Sequence, residues 1–91
     1  MQQNHRSPSA IARDICAAIA EQYHEKPADK QPAFITYARP YLQALRQSDD
    51  WGGMYGADTV KSCGLYALSN LAAWRVEVAK KLKAELKSAC M

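Results

Sequence analysis

The sequence predicts an all-α protein, a compact bundle of three or four helices with a long C-terminal helix. Apolar residues recur at steps of three and four along most of the 91-residue chain, as they do on one face of a helix. No segment shows the alternation of apolar and polar residues that is typical of a half-buried strand. Hydrophobic residues make up 48% and charged residues 23%, an ordinary composition for a folded domain.

The length of the chain limits how many cores it can form. We expect residues 1–91 to form one helical domain, with residues 1–7 as a flexible tail. A domain of this size leaves apolar surface accessible, so a homodimer is compatible with it. No stretch approaches the roughly 18 to 20 apolar residues of a membrane span, and the polar N-terminus lacks the apolar core of a signal peptide. The expected location is therefore the cytoplasm.

The first helix is predicted from Pro8 or Ser9 to about residue 25. Ser7 can cap its exposed N–H groups. One face then carries a stripe of apolar side chains: Ile11, Ile15, Ala18, Ile19 and Tyr23. Residues 26–32 contain two prolines and no apolar anchor, which is typical of a connecting loop.

A second helix is predicted from Pro32 or Ala33 to about residue 47. Pro40 removes one hydrogen bond from it and crowds the preceding turn, so either the helix kinks there or a second short helix begins. The apolar stripe stays in phase across Pro40, which favours a kink; it consists of Ile35, Ala38, Leu42 and Leu45.

Residues 48–56 form a predicted loop, and Asp58 offers an N-cap for the next helix. Apolar residues then stay in phase to the C-terminus: Val60, Cys63, Ala67, Leu71, Trp74, Val78, Leu82, Leu86 and Ala89. This register is compatible with one long helix or with two nearly collinear helices over residues 58–90. Ser69 and Asn70 mark the favoured break, because both residue types prefer caps and turns to helix interiors.

The residue types indicate neither a metal site nor a catalytic site. His5 and His24 have no ligands at suitable spacing, so we expect no metal and no cofactor. The three cysteines, Cys16, Cys63 and Cys90, are widely spaced, which favours incidental or buried thiols over a disulfide. Cys63 beside His24 could act as a nucleophile, but its place on the apolar stripe favours an inert core thiol. The chain is not expected to be an enzyme.

The loop of residues 48–56 is the first candidate binding site. Trp51 and Tyr55 carry large apolar areas on a glycine-rich segment, and exposed aromatic residues often anchor a partner protein. With Asp49 and Asp50 they form the predicted partner-binding site. The alternative is that an aromatic ring folds back and covers the end of the bundle. A calcium loop is a weaker alternative, because these acids and Asp58 do not match the spacing of an EF-hand.

The basic C-terminal segment is the second candidate site. Residues 75–91 contain five basic and two acidic residues, which accounts for the whole formal charge of +3. Clustered lysines can follow a phosphate backbone, so this segment could bind nucleic acid. The alternative is an ordinary solvated helix face, because lysines near a helix C-terminus also interact favourably with the helix dipole. The residues of this candidate site are Arg75, Lys80, Lys83 and Lys87.

Several short motifs carry a resemblance to known proteins. They are Tyr37-Ala38-Arg39-Pro40-Tyr41-Leu42, Met54-Tyr55-Gly56-Ala57-Asp58, Leu68-Ser69-Asn70, and Trp74-Arg75 followed by Glu77, Ala79 and Lys83-Ala84-Glu85-Leu86. The chain resembles a family of small uncharacterised helical proteins carried by phages and other bacterial mobile elements. Those proteins often have glycine after the tryptophan-arginine pair, where this chain has Val76. The resemblance therefore does not carry over a helix break at Val76, and it implies no enzymatic activity.

These observations favour a non-enzymatic protein that acts by binding a host or element-encoded protein. A counter-defence inhibitor, such as an anti-CRISPR, is one concrete version of this hypothesis. The alternative is an accessory protein that binds nucleic acid through its basic C-terminal helix. Trp74 is expected to belong to the core more often than to an interface.

Overall fold

The computed structural model describes residues 5–90. Most of them lie in four helices: α1 (Pro8–Gln22), α2 (Ala33–Arg46), α3 (Val60–Asn70) and α4 (Glu77–Cys90). A 3-10 turn at Ala28–Lys30 follows α1, and two short strands, β1 (Met54–Tyr55) and β2 (Asp58–Thr59), precede α3. The all-α prediction is confirmed. Within residues 5–90, no helix has both the length and the apolar character that a membrane crossing requires.

The helices form an antiparallel bundle in which consecutive helices pack together and α4 returns against α1. At one end, the N-termini of α1 and α3 meet the C-termini of α2 and α4. The N–H of Ser9 donates to the carbonyl of Ser48 there, at 3.1 Å. At the opposite end, the indole of Trp74 donates to the side-chain oxygen of Gln22 at 2.8 Å. We call these the Arg6 end and the Trp74 end.

The N-terminal cap of α1 is the predicted one. Ser7 has an extended backbone, its hydroxyl accepts from the N–H of Ala10 at 3.2 Å, and Pro8 is the first helical residue. Ser7 thus belongs to the bundle although it was assigned to the tail, of which residues 1–4 lie outside the described part. The helix ends at Gln22, three residues earlier than predicted. Tyr23 leaves the helix there and packs edge-on against Phe34, with ring centroids 6.4 Å apart.

Helix α2 is one element across Pro40. It begins at Ala33 and continues to Arg46, so no second helix starts at Pro40. Pro40 is exposed, which places its ring on the solvent side of the helix. The in-phase stripe on both sides of the proline correctly predicted this continuity.

The C-terminal half differs from the prediction in its geometry. It forms two antiparallel helices rather than one long helix or two collinear ones, and α3 begins with Thr59 as its cap instead of Asp58. The hydroxyl of Thr59 accepts from the N–H of Ser62 at 3.0 Å. Helix α4 has 14 residues, so α1, with 15, is the longest. The break follows Asn70 directly, where the cap-forming residues predicted it.

The apolar spacing did not predict this reversal of direction, because two residues of the stripe lie in the turn itself. Leu71 and Trp74 lie in the connection between α3 and α4, yet both are buried. Their side chains therefore continue the three- and four-residue spacing through a turn. Val78 was predicted on the same stripe but is exposed, and Ala79 takes the buried position instead. Only this first position of α4 differs from the predicted stripe, because Leu82, Leu86 and Ala89 are buried as predicted.

The core contains aliphatic side chains from all four helices and one large aromatic side chain. Trp74 is only 1% exposed, which confirms its predicted place in the core. Cys63 and Cys90 are buried, Cys16 is partly buried, and all three are free thiols. Burial raises the pKa of the Cys90 thiol to about 11, so this thiol stays protonated at neutral pH.

Gly64 lets three elements meet closely at the Arg6 end. A Cβ placed on Gly64 would lie within bonding range of the Cys90 sulfur and 3.2 Å from the Trp51 ring. Real Cβ atoms do not approach other atoms so closely, so any side chain here would force α4 or the Trp51 ring to move. The contact explains why a residue that disfavours helices occupies the interior of α3.

We expect Gly64→Ala to lower the free energy of unfolding by about 1 kcal/mol. Overpacking costs about 1 to 3 kcal/mol, which exceeds the roughly 1 kcal/mol that alanine gains over glycine in a helix. Chemical denaturation measures the difference. Cys90→Ala is the matched control, because it removes the sulfur that lies nearest to the added Cβ. It should therefore lower the free energy of unfolding less in the Gly64→Ala background than in the wild type. Strictly additive effects would show that the contact at Gly64 does not limit packing.

Candidate functional site

The predicted partner-binding loop folds into a tight turn and a two-residue hairpin. Asp50 organises the turn: its carboxylate accepts from the N–H of Gly52 at 3.0 Å and its carbonyl from the N–H of Gly53 at 3.1 Å. Strands β1 and β2 pair antiparallel, with Tyr55 opposite Asp58. Gly56 turns the hairpin with φ of +62°, a conformation that favours glycine.

Trp51 folds back onto the Arg6 end instead of projecting from the loop. Its ring packs on the core above Gly64, and its indole N–H donates to the carbonyl of Arg6 at 2.8 Å. Trp51 therefore covers the end of the bundle, which is the alternative interpretation of the aromatic loop. Tyr55 behaves differently, because it remains 41% exposed on the hairpin.

The four residues of the predicted partner site do not form one surface. Asp49 and Asp50 are exposed and line a shallow recess beside Trp51 and the Lys61 side chain. Tyr55 lies apart from that recess, on the hairpin. The structure thus divides the predicted site into an acidic edge, a partly buried anchor and one exposed aromatic ring.

Arg6 is bound to the side of the bundle, although the sequence assigned it to the flexible tail. Its guanidinium contacts both carboxylate oxygens of Glu85, at 2.8 and 2.6 Å, and one oxygen of Asp14 at 2.6 Å. This fork geometry matches a carboxylate and ties residue 6 to α1 and α4. The bond to Trp51 adds the loop to the same cluster. The hydrogen bonds from Arg6 lower the pKa of Glu85.

We expect this cluster to make stability depend on acid. A carboxyl whose pKa is lowered by folding stabilises the protein above its unfolded pKa, and this contribution is lost as pH falls through the folded pKa. Between about pH 5 and pH 3, the free energy of unfolding should therefore fall more steeply in the wild type than in Glu85→Gln. Urea denaturation at several pH values measures both slopes. Glu77→Gln, at an exposed acid outside the cluster, should keep the wild-type slope; equal slopes for wild type and Glu85→Gln would contradict this role for Arg6.

The basic residues of the C-terminal segment have different roles. Lys83 is partly buried, and its ammonium donates to the carbonyls of Leu71 at 3.2 Å and Trp74 at 2.5 Å. Both carbonyls belong to the connection between α3 and α4, and the Leu71 carbonyl also accepts from the N–H of Trp74 at 2.9 Å. Lys80 lies 3.9 Å from Glu77. Arg75 and Lys87 are exposed. The row of cations predicted for nucleic acid is thus interrupted by a structural lysine.

Replacing Lys83 should test this structural role. Lys83→Met keeps the aliphatic stem but removes both hydrogen bonds, so we expect the free energy of unfolding to fall by about 1 to 3 kcal/mol. Lys87→Met, on the exposed face of the same helix, should change it by less than about 0.5 kcal/mol. Thermal denaturation followed by circular dichroism compares the two. Equal effects would mean that Lys83 does not stabilise the α3–α4 connection.

A cluster of tyrosines on the outer face of α2 and α3 was missed in the sequence. Tyr41 and Tyr66 pack with ring centroids 5.2 Å apart, and Tyr37 lies one turn before Tyr41 on α2. Tyr37 is 64% and Tyr66 is 51% exposed. We call these three residues the tyrosine patch. The four-residue step from Tyr37 to Tyr41 was visible in the sequence, but the partner ring from α3 was not.

The possible catalytic and metal-binding residues are not brought together. Cys63 is buried near the start of α3, at the Arg6 end, whereas His24 is exposed just beyond the end of α1, at the Trp74 end. The two therefore cannot act as a pair. Within residues 5–90, no group of three or more His, Cys, Asp or Glu side chains is placed to hold a metal ion.

Comparison with known proteins adds no relative to this description. The chain matches no protein-family model, and no curated protein or solved structure is significantly similar to it.

Proposed function

We propose that this protein is a non-enzymatic protein-interaction module that acts by binding a host protein. The observation that carries the proposal is the tyrosine patch. Monomeric proteins seldom expose contiguous rings, and tyrosine is enriched where proteins bind one another. A tyrosine ring contributes a large contact area with few rotatable bonds, and its hydroxyl can hydrogen-bond at the rim of an interface.

The cellular role rests on the resemblance to small proteins of phages and mobile elements. The motifs between Tyr37 and Leu86 support an origin on such an element, and these elements need small proteins that inactivate host defences. A counter-defence inhibitor such as an anti-CRISPR fits this origin. Tyr37 and Tyr41 belong to the first of those motifs, so the patch and the resemblance share residues.

The placement of Trp51 changes which residues can test the interaction. Replacing Trp51 would remove a core contact and the hydrogen bond to Arg6, so lost binding could reflect lost folding. Tyr37 and Tyr66 project from helices that are held by other side chains. Their substitution keeps the buried core side chains and removes the two exposed rings together with the contact between Tyr41 and Tyr66.

We expect Tyr37→Ser with Tyr66→Ser to weaken partner binding at least tenfold while circular dichroism and melting remain close to wild type. A change of about 1.4 kcal/mol corresponds to that factor, and central aromatic residues of interfaces often contribute more. The partner is first captured from a bacterial host lysate with and without nuclease and identified by mass spectrometry. Isothermal titration calorimetry with the purified partner then compares the variants.

Tyr55→Ser is the matched control, because it removes an exposed ring on the hairpin. Unchanged binding by Tyr55→Ser together with weakened binding by the double variant supports the tyrosine patch. The reverse pattern would assign the interface to the loop. Recovery of nucleic acid, with partners that vanish after nuclease and binding that falls steeply with salt, would overturn the proposal in favour of the basic C-terminal helix.

A further inference from the structure

A cavity opens between α1 and α2, on the side of α2 away from the tyrosine patch. Its volume is about 290 Å³, near the lower limit for sites that bind small molecules. Ile19, Ile35 and Leu42 form an apolar floor, and each is nearly buried in the core. The half-buried thiol of Cys16 forms part of the wall. The floor is therefore rigid and apolar.

The rim of this cavity is basic. Arg39 and Arg46 stand on it, and Arg46 also borders an adjoining recess that contains Arg13. No aspartate or glutamate of the part of the chain that the structure describes lines either opening. Among residues 5–90, none of these three arginines forms an ion pair, whereas Arg6 contacts two acids. Two arginines thus line the apolar cavity and a third lines the recess beside it, and none of them is paired with a carboxylate of the described residues.

The order of residues along the two helices gives the site a direction. Along α2, the order toward the Arg6 end is Ile35, Leu42 and Arg46. Helix α1 runs in the opposite direction, so its order toward that end is Ile19 and then Arg13. The apolar floor thus lies toward the Trp74 end, and the cations lie together at the other end. Arg39, about 10 Å from Arg46 along the helix axis, stands beside the floor.

We propose that this cavity binds a small anionic amphiphile. Its anionic head, a carboxylate or a phosphate monoester, lies between Arg46 and Arg13, because guanidinium groups form paired hydrogen bonds with both kinds of oxyanion. Its unbranched apolar chain lies along Ile19, Leu42 and Ile35. Such a ligand matches the two features of the site, because its negative charge complements the arginines and its apolar chain covers the floor.

Titration of the isotope-labelled full-length protein tests the proposal. Decanoate is the probe, and nuclear magnetic resonance follows the backbone amides. We expect saturable shifts that are confined to the residues lining the cavity. Acetate has the head without the chain, and 1-decanol has the chain without the charge; both should bind at least tenfold more weakly than decanoate. Decyl phosphate against decanoate shows which of the two head groups is preferred.

Variants on the rim locate the head group. Arg46→Gln should weaken decanoate binding about tenfold, because a hydrogen bond to a charged group contributes roughly 1.5 to 3 kcal/mol. Arg13→Gln should weaken it by a smaller factor, since this residue borders only the adjoining recess. Arg75→Gln is the matched control, as it removes an exposed arginine on the α3–α4 connection. Each side chain is exposed, so circular dichroism should show unchanged folding.

Cys16 provides a second measurement that does not depend on spectral shifts. Saturating decanoate should slow its alkylation by iodoacetamide at least fivefold, because the chain covers the thiol. Buried Cys63 and Cys90 serve as internal references in the same mass spectra. Equal binding of 1-decanol and decanoate, equal losses in Arg46→Gln and Arg75→Gln, or no saturable shift at millimolar decanoate would each overturn the proposal. None of these outcomes bears on the tyrosine patch.

Discussion

The close approach of three elements at Gly64 is the constraint on which the Arg6 end of the bundle depends. Because Gly64 has no side chain, Cys90 of α4 can pack directly against α3 at this point. The Trp51 ring of the loop then packs on the same position. The ring then donates to the Arg6 carbonyl, and the Arg6 side chain in turn binds Glu85 of α4. The absence of a Cβ at Gly64 thereby permits a cluster that closes this end of the bundle and binds Arg6 to it.

Local geometry, rather than net charge, decides which cations are available to a ligand. Counting charges along the chain places the whole excess in residues 75–91. The fold changes which cations are available, because Lys83 donates to backbone carbonyls and Arg6 is paired with two acids. The arginines on the rim of the α1–α2 cavity belong to a part of the sequence that is neutral in total, yet within residues 5–90 they form no ion pair. A cation without an ion pair beside an apolar surface indicates a ligand site more strongly than the net charge of a segment does.

The sequence predicted what local periodicity controls. The N-cap of α1, the continuity of α2 across Pro40 and the break after Asn70 all follow from residue types and spacing. The reversal between α3 and α4 could not be predicted, because Leu71 and Trp74 keep the apolar phase through the turn itself. The position of the Trp51 ring could not be predicted either, because the groups that it contacts, Gly64 and the Arg6 carbonyl, are remote in the chain. Contacts between remote segments likewise form the tyrosine patch and the cavity.

Helix α2 connects the two surfaces that remain without a partner. Tyr37 and Tyr41 lie on its side toward α3, and Arg39 and Arg46 lie on its side toward α1. Pro40 stands between them in the chain and has no N–H to donate to the carbonyl one turn earlier, so the helix lacks a backbone hydrogen bond at this level. The position of α2 is consequently set by packing on both sides more than by its own backbone. A ligand in the α1–α2 cavity contacts the same helix that carries the tyrosine patch. The two surfaces therefore share α2, although no side chain belongs to both.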